Sequence, residues 1–276
     1  MFSVVNFKST IRRHTLLKKN IRILTGLFLL LVNILNVWAY NGIQKIPFDD
    51  ALIYFELNNT DGDLGIHALI DGDAWKYLRI EDPSGCNLLY VIAQSRLWKQ
   101  GLTELFFESA EPTFDELDPK KFFKRFPEGT YTVKGITLEM ERLKSCVILS
   151  HLLPAPPDYI SVNDVSIDPD QVDCSEGPLP TVPLNENGSV AISWSPVIIS
   201  HPELGRVGES ITVVNYELVV EALQLENTFS VTLPPEVVEV NIPPEFIALG
   251  DTFKFEILVR EKSGNQTAVE SCFKVY

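Results

Sequence analysis

The chain has 276 residues, enough for two domains of ordinary size, and its hydrophobic fraction of 45% is that of a folded protein rather than a disordered one. Its 37 acidic residues outweigh 23 basic ones, for a formal charge of −14. That balance excludes nucleic-acid phosphates as expected partners and disfavours anionic lipid headgroups.

The N-terminus departs from this balance. Residues 1–22 carry Lys8, Arg12, Arg13, Lys18, Lys19 and Arg22 and no acid. An apolar run, Ile23 to Val32, follows, and then Val37-Trp38-Ala39. A basic flank, a short apolar core and a small-residue exit are the three parts of a secretory signal. A membrane span needs roughly 20 apolar residues, and Asn33 and Asn36 interrupt this one. Residues 1–39 are therefore expected to be a signal peptide cleaved after Ala39. Membrane attachment is expected only if that segment is retained. The mature protein would be secreted, periplasmic or held at the cell surface.

Residues 40–157 read as a β-rich domain. Ala51–Leu57, Gly65–Ile70, Trp75–Ile80 and Asn87–Ile92 are expected strands. Asn58–Asp63, Asp71-Gly72-Asp73 and Asp82–Gly85 are the turn clusters between them. Thr113 and Glu116 have capping-box spacing. They predict a helix with Phe114, Leu117, Phe122 and Phe126 inward, although Pro119 argues for a break or a late start. Gly129–Gly135 and Cys146–Ser150 close the domain. Pro154-Ala155-Pro156-Pro157 reads as a stiff linker.

Residues 158–276 alternate more clearly. Val190–Pro196, Val213–Val220, Phe229–Leu233, Val237–Ile242, Thr252–Val259 and Ala268–Val275 are expected strands, with a tight turn at Ser263-Gly264-Asn265. Several short strands over this length predict a sandwich. Four cysteines, Cys86, Cys146, Cys174 and Cys272, suit disulfides in an exported chain and allow three connectivities. Pairing within each domain gives Cys86–Cys146 and Cys174–Cys272.

The second half resembles a fibronectin type III domain. Trp194 stands where that family places an early-strand core Trp, and Tyr216 is expected to begin a strand as a Tyr of that family often does. Leu249-Gly250-Asp251-Thr252-Phe253-Lys254-Phe255-Glu256-Ile257 is similar to its late-strand signature, with Phe253 where a Tyr is usual. Residues 197–212 look like an insertion. The resemblance implies an immunoglobulin-like sandwich and no particular activity. The first half resembles exported bacterial proteins of unknown function. The expected fold class is mainly β: two β-sandwich-like domains after a signal peptide.

The most suggestive chemistry is Asp61-Gly62-Asp63 followed by Asp71-Gly72-Asp73. Four carboxylates brought together would suit calcium. The spacing is not that of an EF-hand, and a pair of hairpin turns is the favoured reading, since Asp-Gly is the usual turn chemistry. His67, His151 and His201 have no metal spacing, and Ser84 and Ser150 lack a nucleophile elbow. Glu108 with Glu111, and Glu139 with Glu141, are candidate carboxylate pairs for a carbohydrate-directed hydrolase. Lys120 to Phe126 interleaves bases with Phe, and Trp75 and Trp98 are candidates for stacking on a sugar. The expected function is a non-catalytic binding or interaction protein with a protein or polysaccharide partner. The alternatives are the hydrolase and a calcium-stabilised structural protein.

Overall fold

The computed structural model describes residues 45–276 except 173, 175 and 176. The expected signal segment lies outside the described residues. No helix among the described residues is long and apolar enough to cross a membrane.

The chain is mainly β. The N-terminal lobe contains β1 (Lys45–Ile46), β2 (Asp50–Asn58), β3 (Asp63–Glu81), β4 (Asn87–Ile92), β5 (Leu102–Glu108), β6 (Gly129–Thr137) and β7 (Arg142–Leu149). It also holds two short helices, α1 (Ser95–Gln100) and α2 (Pro119–Arg125). The C-terminal lobe contains β8 (Ser161–Val162), β9 (Val165–Ser166), β10 (Thr181–Val182), β11 (Val190–Ser193), β12 (Val213–Ala222), β13 (Asn227–Leu233), β14 (Glu239–Ile242), α3 (Pro244–Ile247), β15 (Thr252–Glu261) and β16 (Gln266–Val275).

In the C-terminal lobe, β12 turns Tyr216, Leu218, Val220 and Ala222 to one face, and β15 turns Phe253, Phe255, Ile257 and Val259 to the same face. The sheet β16–β15–β12–β13 must cover that apolar face, and the sheet β14–β11–β8–β9 does so with Val162, Val190, Ile192 and Ile242. Each such side chain removed from water contributes roughly 1.5–3 kcal/mol. Trp194 packs edge-on against Tyr216 at 5.4 Å, and the Tyr216 hydroxyl accepts the Val197 N–H at 2.8 Å. The immunoglobulin-like sandwich expected for this half is present.

The N-terminal lobe is organised around β3, a single strand of 19 residues. Its first half pairs with β2 on one side and β5 on the other; its second half pairs with β6 and β4. The expected hairpin turn at Asp71-Gly72-Asp73 is instead an irregularity inside β3, where the β5 register shifts between Asp71 and Trp75. Glycine suits that position, where a Cβ would lie 3.1 Å from the Phe48 ring. Such an insertion bends a strand; with a second register shift against β6 between Trp75 and Tyr77, it lets Leu64, Ile66, Ala68, Ile70, Trp75, Leu78 and Ile80 all face one core. The Asp61-Gly62 turn forms as expected, with Gly62 at φ +66°.

The helix starts late. Thr113 to Leu117 makes one isolated turn, with the Glu116 carboxylate accepting the Thr113 N–H at 3.2 Å. α2 then begins at Pro119, and the Asp118 side chain caps it by accepting the Lys120 N–H at 2.8 Å. Phe122 and Phe123 are buried against Phe55, while Lys120, Lys121 and Lys124 face solvent.

The Pro-rich segment does not act as a free linker. β2 and β16 pair in parallel, Glu56 with Gln266 to Asn58 with Ala268, so one sheet runs through both lobes. Asn265, fully buried, accepts the Phe55 N–H at 2.8 Å and donates to the carbonyls of Ser150 at 2.8 Å and Leu152 at 3.0 Å. Thr267 donates to the Pro154 carbonyl at 2.8 Å. The insertion at 197–212 folds back onto the first lobe: Leu204 packs on its core, and Arg206 meets Glu128 at 2.8 Å.

One expected disulfide forms and one does not. Cys174 and Cys272 are bonded, with Cα atoms 5.6 Å apart. Cys86 and Cys146 are free and exposed. Cys86 adjoins β4, Cys146 is on β7, and β3 and β6 lie between them. Three strand spacings of about 4.8 Å exceed the Cα separation a disulfide spans.

Candidate functional site

The outer face of the sheet, opposite the two cores, carries the polar chemistry. At the seam between the lobes, His67 of β3 is almost fully buried. Its Nε2 lies 2.7 Å from Glu111 Oε1 and its Nδ1 3.5 Å from Glu56 Oε2. Gly65 makes the first contact possible, since a Cβ there would collide with the Glu111 carboxylate. Gln266 donates to Glu56 and accepts from Arg260, whose guanidinium sits 5.2 Å from the Tyr54 ring centre. Burial pushes the Glu56 carboxyl up, against the opposing pull of His67. Both imidazole nitrogens are engaged by carboxylates, so this group holds two lobes together rather than activating a hydroxyl or thiol.

The four aspartates do not converge. Asp63 pairs with Asn58 at one end of β2, and Asp71 pairs with Asp50 at the other. Eight residues of strand put the two about 26 Å apart. Asp61 is held by the Asn58 side chain, Asp71 accepts the Gly72 N–H, and Asp73 is exposed. Burial, then Glu111, Asp61 and Glu270, push the Asp63 carboxyl up to about 6. A single calcium shared by Asp61, Asp63, Asp71 and Asp73 is incompatible with this placement. Among the described residues no three His, Cys, Asp or Glu side chains are grouped as a metal requires.

The remaining candidates also separate. Trp75 is fully buried in the core, whereas Trp98 of α1 is 44% exposed with the Lys76 ammonium 5.5 Å from its ring centre. His151 donates to the Phe126 carbonyl and packs on Phe123; Ser150 instead meets Ser263. Glu111 is tied to His67 while Glu108 points to solvent from β5. Glu139 and Glu141 are exposed in the β6–β7 turn.

The sequence reading missed the surface around β4. Leu88, Tyr90 and Ile92 are 42%, 56% and 43% exposed on the outer face. β4 pairs with β3 alone, so its other edge offers backbone N–H and C=O groups without strand partners among the described residues. Leu97 and Trp98 extend the apolar surface along α1, which buries no residue. Behind β4, pairing aligns Tyr90 with Arg79, Arg79 with Lys134, and Lys134 with Lys144. Three bases from distant parts of the chain therefore stand side by side on three strands. Glu81 lies among them, 2.9 Å from Arg79 and 2.5 Å from Lys134. The hydrogen bond from Lys134, then Arg79 and Lys144, hold its carboxyl below the usual range. The available signal was Leu88-Leu89-Tyr90-Val91-Ile92, an apolar run lacking the polar alternation of a half-exposed strand.

No protein-family model matches the sequence, and no curated protein matches it. Solved structures similar to the chain include a two-domain fibronectin type III segment from chicken tenascin, at 12% identity and a TM-score of 0.28, covering 82% of this chain and 97% of that one. The FN1–FN3 domains of chicken CNTN1 match at 10% and 0.31, over 83% of this chain and 68% of that one. A structure concerned with host cell surface retention of a 1.5-MDa bacterial ice-binding adhesin matches at 9% and 0.26, over 84% and 66%. These are fibronectin type III structures in the first two cases; the sandwich described above rests on its own strand pairing.

Proposed function

We propose that the protein is an exported, non-catalytic interaction protein whose recognition surface is the open margin of the N-terminal lobe, formed by β4 and α1. The observation that carries this reading is β4 itself: a strand edge unpaired among the described residues, with Leu88, Tyr90 and Ile92 exposed beside it. Such an edge takes a further strand through main-chain hydrogen bonds, with alternate side chains giving specificity. Export is supported by the Cys174–Cys272 disulfide and the acidic composition. Because β2 and β16 share a sheet, the test uses the whole protein. Immobilised wild type and a Leu88→Ser/Tyr90→Ser/Ile92→Ser variant are compared for capture of proteins from the extracellular and envelope fractions. The expected result is a partner retained by wild type and lost by the variant at unchanged thermal stability. Equal capture by both would overturn the assignment.

A further inference from the structure

The sheet that runs through both lobes has two long margins. β4 and β5 lie along one, on the far side of β3, and β13 forms the other; the sheet also ends at the two-residue β1 beside β7. Exposed strand edges are normally protected by charge or proline. β5 follows that rule with Glu104 and Glu108. β4, Asn-Leu-Leu-Tyr-Val-Ile, and β13, Asn-Thr-Phe-Ser-Val-Thr-Leu, carry neither a charge nor a proline. They are also matched in length, at 6 and 7 residues.

The outer face beside each margin has opposite charge. Next to β4 stand Arg79, Lys134 and Lys144, with Arg142 two pairs further along β7 and Glu81 as the acid among them. Next to β13 stand Glu217 and Glu221 of β12, Glu256 of β15 and Glu270 of β16, with Lys254 among them. Pairing β4 with a second β4 would set base against base. Pairing β4 with β13 sets the basic margin of one molecule against the acidic margin of another.

We propose that copies of this chain associate head to tail, with β4 of one copy adding to β13 of the next and extending the sheet. This rests on the reading of β4 as the recognition edge and names its occupant as a second copy of the chain. The interface is heterologous, so it leaves one free β4 and one free β13 at the ends of every assembly and permits growth into linear chains. Across the junction, Arg79 and Glu217 would be separated by three strand spacings, about 14 Å. That distance exceeds the Debye length of about 10 Å at 0.1 M salt and is well inside the 30 Å of about 0.01 M. Association is therefore expected to tighten by about tenfold or more as salt falls between these values.

The test is sedimentation of the purified full protein at both salt concentrations, with two variants at exposed positions. Tyr90→Glu places an acid on β4, where it would meet the acidic margin. Thr228→Lys/Thr232→Lys places bases on β13 opposite Glu221 and Glu217, neutralising that margin and opposing the basic one. Wild type is expected to form dimers and longer species at low salt, and each variant alone to stay monomeric. Mixed in equal amounts, the variants are expected to form a 1:1 dimer and nothing larger, because one retains a working β13 and the other a working β4. A wild type that remains monomeric at about 0.01 M salt overturns the inference. So does association abolished by the β4 variant and untouched by the β13 variant, which indicates β4–β4 pairing. Tyr90→Glu is also passed through the capture assay: loss of a captured partner with a monomeric wild type rejects self-assembly while keeping β4 as the recognition edge, and unchanged capture counts against that edge.

Discussion

The C-terminal lobe covers the apolar face of β13–β12–β15–β16 with a second sheet of its own, whereas the N-terminal lobe has no second sheet among the described residues and assembles a cover from unlike pieces. Those pieces are the bend in β3, the Phe122 and Phe123 side of α2, Leu153 from the Pro-rich segment and Leu204 from the insertion at 197–212. Two of them belong to the connection or to the other lobe. The sandwich is closed by its own strands, while the N-terminal lobe depends on its neighbour for part of its core and, through Asn265, for part of its hydrogen bonding.

Breaking the seam gives the largest expected effect. Asn265→Ala removes the partner of the Phe55 N–H and the donor to the carbonyls of Ser150 and Leu152, all in a dry interior. Each buried group left unpaired costs about 1–3 kcal/mol, so a loss of roughly 3–5 kcal/mol is expected after partial relaxation. Urea unfolding followed by Trp fluorescence and circular dichroism should then show the N-terminal lobe opening before the sandwich. A single coincident transition with a loss below about 1 kcal/mol would show that the lobes do not lean on each other through this residue.

The disulfide sharpens the other side of the comparison. It ties Cys174 to Cys272 across 98 residues, so the loop it closes is long. Replacing both cysteines by serine is expected to cost about 2–4 kcal/mol. Because the N-terminal lobe uses β16 as a neighbour, its unfolding midpoint should fall together with that of the sandwich. A sandwich that loses stability while the first lobe keeps its midpoint would contradict the dependence.

The smallest effect concerns charge on the shared sheet. Burial, then Glu270 and Glu56, push the Glu256 carboxyl up to about 7. A carboxyl raised in the folded state binds its proton more tightly there than in the unfolded chain. The stability it contributes is present below its ordinary range near 4.5 and is lost as pH rises through about 7. Glu256→Gln should flatten that decline and stabilise the protein by about 1–2 kcal/mol around pH 8, a few degrees in melting temperature. Melting curves of both proteins from pH 5 to about 8 test this, and parallel curves would reject it.

Some of the architecture was legible residue by residue. Alternation marked β12, β13, β15 and β16, because a period of two is written in adjacent residues, and the expected inward Trp194 is buried. The turn at Asp61-Gly62 and the break at Pro119 follow from the backbone limits of Gly and Pro. The expectation failed at Asp71-Gly72-Asp73, where turn chemistry sits inside a continuous strand because Phe48 packs over Gly72. Asn265 shows a different limit: it belongs to an N-x-[ST] pattern that suggests a surface site, yet it is fully buried.

The sequence by itself therefore determined where strands run, which of their faces are apolar, and that Cys174 and Cys272 belong to one lobe. Only the tertiary structure decided which strands are neighbours. The parallel joining of β2 to β16, the alignment of Arg79, Lys134 and Lys144, the exposure of β4 and the separation of Cys86 from Cys146 all depend on pairings between residues far apart in the chain. Phe55 and Asn265, 210 residues apart, are bonded because two apolar faces had to be covered at once. Covering a face is a property of the whole molecule, and no local pattern records which distant segment will do it.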